Sequence, residues 1–166
     1  MLPNGEHKPQ MLAALRRLTD FIGTRHLDSK LEHDLNATYG ADTDNYAELV
    51  RLLNHGISEG WACYSEITGP DYRRGQIAEP SADFSGFSIE SSMIKNVKGK
   101  YHRHTRGEIN MVIPIDPTGQ FCGKGAGWTV FEPGSCHFPE VTGGKINTIY
   151  LLPNGEIEYK TPPSDA

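Results

Sequence analysis

Two histidines one residue apart, His102 and His104, stand in the segment Gly99-Lys100-Tyr101-His102-Arg103-His104-Thr105-Arg106-Gly107-Glu108. In an extended strand, residues two apart project to the same face, so both imidazoles can converge on one point. Gly107 permits a turn after them, and Glu108 then opens the apolar run Ile109 to Ile115, which returns a carboxylate to the imidazoles. Further on, Gly127-Trp128-Thr129-Val130-Phe131-Glu132-Pro133-Gly134-Ser135-Cys136-His137 reads as strand, tight turn and histidine. Three imidazoles and one carboxylate suit a divalent Fe, Mn, Ni, Co or Zn ion with a position left open to water or substrate. The expectation is one such ion per chain, held by His102, His104, Glu108 and His137. Glu108 and His104 are also the expected catalytic residues, as carriers of protons.

Alternation extends the reading to the surrounding pocket. With His102 and His104 facing inward, Arg103 points outward, while Asn110 and Val112 share the inward face of their strand with Glu108. Asn110 is therefore a candidate for contact with substrate. Trp128 and Glu132 share a face on the strand leading to His137, as an aromatic wall and an acid or base; a core tryptophan and a surface glutamate are the competing roles. An acidic substrate needs a cationic anchor, for which Arg106 stands in the turn beside the ligands, and Arg73 and Arg74 in a loop from Gly69 to Gly75. An arginine suits a carboxylate because its planar fork donates two parallel hydrogen bonds.

These residues need a scaffold, and the texture of the chain changes once along its length. Residues 1–59 read as helical, with Met11, Leu12, Leu15, Leu18, Phe21 and Ile22 at helical spacing. A first helix fits Pro9 to Ile22. A second begins with a capping box of Ser29 and Glu32 and stops near Gly40, and a third fits Asp44 to Ser58 with Tyr46, Leu49, Val50 and Leu53 as its stripe. Residues 60–160 fall into short runs between glycines and prolines, the pattern of a β-sandwich or small barrel. Strands are expected near Trp61 to Ile67, Gly75 to Glu79, Gly86 to Lys95, Glu108 to Ile115, Gly127 to Phe131 and Lys145 to Leu152. Asn154-Gly155 predicts a closing hairpin that pairs Ile149–Leu152 with Ile157–Tyr159. Residues 161–166, with two prolines, read as a flexible tail. The pentapeptide LPNGE at Leu2–Glu6 recurs at Leu152–Glu156, too short to be a structural repeat.

Composition narrows the partners. With 166 residues, 37% hydrophobic and 22% charged, the chain has the makings of one ordinary globular domain. A formal net charge of -5 argues against nucleic acid and anionic membranes as partners. Neither a secretory signal nor a membrane span is visible, so the cytoplasm is the expected location. Cys63, Cys122 and Cys136 lack metal-knuckle spacing and read as reduced, mostly buried thiols. His7, His26, His33 and His55 show no ligand spacing and read as surface residues.

At the ligand positions the chain resembles the cupin superfamily, whose first motif supplies H-x-H and a glutamate and whose second supplies a proline-glycine turn followed by histidine. The match runs from about Gly86 to Tyr159. The resemblance implies a mainly β fold, a cupin-type β-barrel or jelly roll preceded by about three helices, and a homo-oligomer formed through sheet edges or swapped segments. Within the superfamily, YHRHTRGEINMVIPID, GWTVFEPGSCHFPEV and INTIYLLPNGEIEY are similar to the p-hydroxylaminobenzoate lyases. That likeness implies a small aromatic carboxylate as substrate: 4-hydroxylaminobenzoate and water would become protocatechuate and ammonia without net redox change. A metal would act as Lewis acid, an arginine would hold the ring carboxylate and Trp128 would flank the ring. The alternatives are an Fe(II)-dependent cupin dioxygenase acting on a small aromatic or thiol substrate, and a non-catalytic small-molecule-binding cupin.

Overall fold

The structure, a computed structural model, describes residues 6–164. Most of the first LPNGE copy and the last two residues of the expected tail lie outside that range; residues 161–164 are exposed. Three helices open the chain: α1 (Lys8–Ile22), α2 (Ser29–Tyr39) and α3 (Asp44–Glu59). Their apolar stripes are fully buried, Met11, Leu15, Leu18 and Ile22 on α1 and Leu49, Leu52 and Leu53 on α3, as their helical spacing requires.

The start of α2 differs from the expected capping box. Asp28 is the cap, accepting the Leu31 amide at 3.0 Å, because its side chain lies one residue before the first helical turn, where Ser29 is already helical. Glu32 is thus free for a distant partner. It accepts the Val130 amide at 2.9 Å, while Asn36 receives the Trp128 amide at 2.8 Å and donates to the Trp128 carbonyl at 2.9 Å. Helix α2 thereby satisfies backbone groups on an edge strand that would otherwise lie open.

The β region contains β1 (Ser65–Glu66), β2 (Tyr72–Ala78), β3 (Phe87–Lys95), β4 (His102–His104), β5 (Glu108–Pro114), β6 (Gln120–Phe121), β7 (Gly127–Phe131), β8 (Ser135–His137), β9 (Val141–Thr142), β10 (Lys145–Pro153) and β11 (Glu158–Tyr159). The main sheet is antiparallel in the order β1-β2-β3-β10-β5-β7; β11-β4-β8 form a second sheet, and β6-β9 a third. The layout is of jelly-roll type, with the described strands in separate sheets rather than one closed barrel.

Three strand expectations need correction. Only Ser65–Glu66 of the run Trp61 to Ile67 is a strand; Trp61 is buried against Gly56, and its indole nitrogen donates to Glu59 at 3.0 Å. Arg73 and Arg74 lie on β2, not in a loop. The Asn154-Gly155 turn forms, with φ of 54° and 69°, but it does not close a hairpin. Strand β10 is flanked by β3 and β5 along its length, so it has no free edge, and β11 crosses to pair with β4, Tyr159 opposite His102.

Alternation on β5 assigns the two sheet faces. Ile109, Met111 and Ile113 pack into a core shared with all three helices, together with Ile149, Leu151 and Trp128. Glu108, Asn110 and Val112 point to the other face. The helices therefore cover the outside of the main sheet and leave its inner face to the site.

Candidate metal centre and its cavity

Strands β4 and β8 bring the three histidines together. They pair in antiparallel register with His102 opposite His137, and His104 shares the inner face of β4 with His102 by alternation. Gly107, at φ 91°, makes the turn into β5 in a left-handed conformation, with Leu27 and Phe131 too close to admit a Cβ. That turn delivers Glu108 to the same place.

The Nε2 atoms form a nearly equilateral triangle: His102 to His104 is 3.0 Å, His104 to His137 is 2.9 Å and His137 to His102 is 3.0 Å. An imidazole nitrogen carries either a hydrogen or a lone pair. A ring of three such nitrogens therefore cannot be closed by hydrogen bonds, because donors and acceptors cannot alternate around an odd cycle. A cation at the centre resolves the conflict. Two nitrogens bound at right angles to one ion, each at the usual bond length of about 2.1 Å, stand about 3.0 Å apart.

The surroundings prepare these nitrogens as ligands. The His102 Nδ1 lies 3.0 Å from the Lys100 carbonyl, which places the ring hydrogen on Nδ1 and leaves the Nε2 lone pair facing inward. The His137 Nδ1 lies 3.5 Å from the Cys122 sulfur. Burial, reinforced by the neighbouring imidazoles, pushes His104 down to about 3 and His137 down to about 4; burial likewise lowers His102. All three are neutral donors at pH 7.

Glu108 stands beside the triangle, nearest His104, with Oε2 3.8 Å from its Nε2. Its one hydrogen bond comes from Asn110 Nδ2 at 3.4 Å, and burial pushes the carboxyl up to about 8. A buried carboxyl so poorly solvated holds a proton unless a cation shares its site. The donor set thus fits a divalent ion, with the three histidines as its core and Glu108 as the adjoining oxygen.

His102, His137 and Glu108 line a cavity of about 590 Å³ together with Asn110, Tyr72, Arg74, Thr148, Tyr150 and Tyr159, a size usual for small-molecule sites; His104 is fully buried behind them. The other expected pocket residues go elsewhere. Trp128 faces the helices, where its indole donates to the Tyr39 carbonyl at 2.9 Å, because its position on β7 has the opposite parity to the inner face. Glu132 is exposed beyond the end of that strand. Arg106 is exposed on its turn, 3.5 Å from Glu156.

Of the three candidate anchors, Arg74 alone lines the cavity; the tyrosines are legible from no local signal, because nothing in the sequence reveals how β2, β10 and β11 pair. The expectation for His7 and His55 also fails. His7 is buried, stacks on His55 at 3.6 Å and bonds to Glu59, making a second group of potential ligand atoms. Glu59 is already engaged there by His7 and Trp61. Of the cysteines, Cys63 is buried, Cys122 half-buried and Cys136 exposed, all as free thiols.

A family model of 4-hydroxylaminobenzoate lyase (PnbB) matches residues 13–159. The chain is 40% identical over 152 residues to a 4-hydroxylaminobenzoate lyase of Nocardioides sp. (strain LMS-CY), covering 87% of this chain and 90% of the relative. It is 39% identical over 147 residues to a 4-hydroxylaminobenzoate lyase of Pseudomonas putida, covering 80% and 84%. Among solved structures, one described for the DMSP lyases RdDddP and RnDddQII aligns at 13% identity over 93% of this chain and 98% of its own, with a TM-score of 0.48. An RmlC-like cupin protein of Ralstonia eutropha JMP134 aligns at 15% identity over 61% and 66%, with a TM-score of 0.46.

Proposed function

The chain belongs to the 4-hydroxylaminobenzoate lyase family, and from that premise we propose that it converts 4-hydroxylaminobenzoate and water to protocatechuate and ammonia in the cavity beside the three histidines. The observation that supports a metal-assisted version is the odd ring of Nε2 atoms about a common centre. His102, His104, His137 and Glu108 would hold one divalent ion. When bound, that ion would supply a Lewis acid for the N–O oxygen and a lowered pKa for water.

The remaining work falls to the side chains. The reaction removes hydroxide from the hydroxylamino nitrogen, adds water at the ring carbon beside it and hydrolyses the resulting imine. Loss of a ring proton then restores aromaticity. Two waters enter and one leaves, so one is consumed and no electrons are exchanged. Glu108 is the proton carrier: its Oε2 lies at the inner face, 3.8 Å from His104 Nε2, where a carboxylate can take a proton from water and pass it to a departing hydroxide. Asn110 orients that carboxyl through its amide. His104 is locked by complete burial and fixes the distance between Glu108 and the other two imidazoles. Ile94, Phe121 and Ile157 give the cavity an apolar wall for the aromatic ring.

The same proposal includes a cytoplasmic homo-oligomer, supported by exposed Tyr64 and Ile67 flanking the short edge strand β1. No helix among the described residues is long and apolar enough to cross a membrane.

The test is elemental analysis of untagged protein alongside anaerobic ammonia release from 4-hydroxylaminobenzoate, for the native chain and His104→Ala. About one metal per chain, with oxygen-independent ammonia release lost in the variant, is the expected result. Ammonia release that requires oxygen would favour the dioxygenase. Activity without metal that survives the substitution would overturn the metal-assisted reading.

A further inference from the structure

Resting on the lyase reading above, we propose that Arg74 is the anchor for the substrate's ring carboxylate, so that the hydroxylamino end is turned toward the histidines and Glu108. Arg74 lies in the middle of β2, paired with Ser92 of β3, which pairs in turn with Thr148 of β10. All three side chains share the inner face of the main sheet and line the cavity. Tyr72, two residues earlier, presents its ring to the guanidinium, 5.8 Å from its centre. From β2 to β5 there are three strand spacings, about 14 Å between backbones. Side chains reaching inward from Arg74 and Glu108 shorten that span, and both line the one cavity.

The guanidinium makes no close ion pair: Glu90, on the same face of β3, feels its charge but is hydrogen-bonded by Gln76 at 3.2 Å. Among the described residues no carboxylate lies within 4.0 Å of it. Tyr72 and Tyr150 cannot serve, since burial raises both above the usual phenol range and keeps them neutral. Half-buried guanidinium groups are normally paired, because taking a charge from water is costly unless an opposite charge meets it. Every other arginine considered for the role is occupied or outside. Arg73, on the opposite face of β2, donates to the Cys63 carbonyl at 2.8 Å and to Glu66 at 3.2 Å, and Arg106 is on the surface beside Glu156. The other cations lining the cavity, Lys98 and Lys100, are exposed at its rim. Arg74 alone combines the fork geometry with a place inside the cavity, which makes the ligand class an aryl carboxylate.

The experiment uses Arg74→Gln and Arg74→Lys in the metal-loaded enzyme, with Lys98→Ala/Lys100→Ala as the competing variant. Circular dichroism and bound metal establish that each variant keeps the fold and the histidine centre. Benzoate titration reads the anchor without turnover, and KM is read with 4-hydroxylaminobenzoate and with phenylhydroxylamine, which lacks the carboxylate. Arg74→Gln should weaken benzoate and raise the KM for 4-hydroxylaminobenzoate by about ten- to a hundred-fold, the value of a charge-assisted pair. It should change kcat less, and leave phenylhydroxylamine nearly unaffected. Arg74→Lys should recover part of the loss. Native benzoate affinity in Arg74→Gln, or a loss confined to the lysine variant, overturns the proposal. Failure of the native chain to release ammonia would sink the lyase reading, and the benzoate titration would still decide the anchor.

Discussion

The two faces of the six-stranded sheet are written into the same strands, yet they tolerate opposite kinds of residue. On β5 the odd positions, Ile109, Met111 and Ile113, enter a core sealed by three helices. The even positions Glu108 and Asn110 hold a carboxyl and an amide at an inner face that is just as dry. Buried apolar groups stabilise the fold; a buried carboxyl with one long hydrogen bond costs it stability unless something completes the site. The helix face is therefore built for folding, and the inner face is held in place by that folding for chemistry.

Substitutions should separate the two. The largest effect is expected from Glu108→Gln, which keeps shape and removes the titrating oxygen. Turnover of 4-hydroxylaminobenzoate should fall by about 10²–10⁴-fold while the melting temperature holds or rises, and a large loss of stability would break the contrast. On the other face, Ile149 is fully buried among the helices. Ile149→Ala should lower unfolding free energy by about 2–5 kcal/mol in denaturant titration and leave kcat per folded molecule essentially unchanged. Asn36→Ala tests the bridge between helix and sheet edge. Losing both hydrogen bonds to Trp128 should cost about 1–3 kcal/mol, with activity again retained.

How far the sequence discloses these faces depends on the range of the interactions involved. The candidate ligands on β4 and β5 were legible because alternation along a strand and a glycine turn are local: His102 and His104 share a face and Glu108 lies beside them, while His137 joins them through the pairing of β4 with β8. The helices were legible for the same reason, down to the stripe of α1. What was hidden rests on pairing between distant segments. Glu32 abandons its capping box for Val130, β11 finds its edge on β4 because β10 has none free, and Arg74 enters the cavity only once β2 takes its register against β3. Trp128 takes the core role, the alternative to an aromatic wall, because it pairs with core-facing Met111 and one residue's shift along a strand exchanges the two faces.

Acid should distinguish the faces by pH window, with the smallest effect on the helix side. His104 and His137 are held at about 3 and 4 in the fold, against an ordinary value of 6.5. Between those values the unfolded chain binds protons that the metal-free fold cannot, so stability falls as pH drops from 6.5 toward 4. Glu59 works in a lower window. Burial pushes its carboxyl up, but hydrogen bonds from His7 and Trp61 outweigh this and take it from 4.5 to about 2. Its contribution is present above pH 4.5 and is lost as pH falls through 2, because there the unfolded chain takes the proton first. Subtracting the stability curve of Glu59→Gln from that of the native metal-free chain should therefore leave a slope confined to pH 4.5–2. The corresponding difference for His137→Gln should lie between 6.5 and 4. Overlap of the two difference curves would mean that the faces are electrostatically coupled through the sheet, and that the inner site is not insulated by the core behind it.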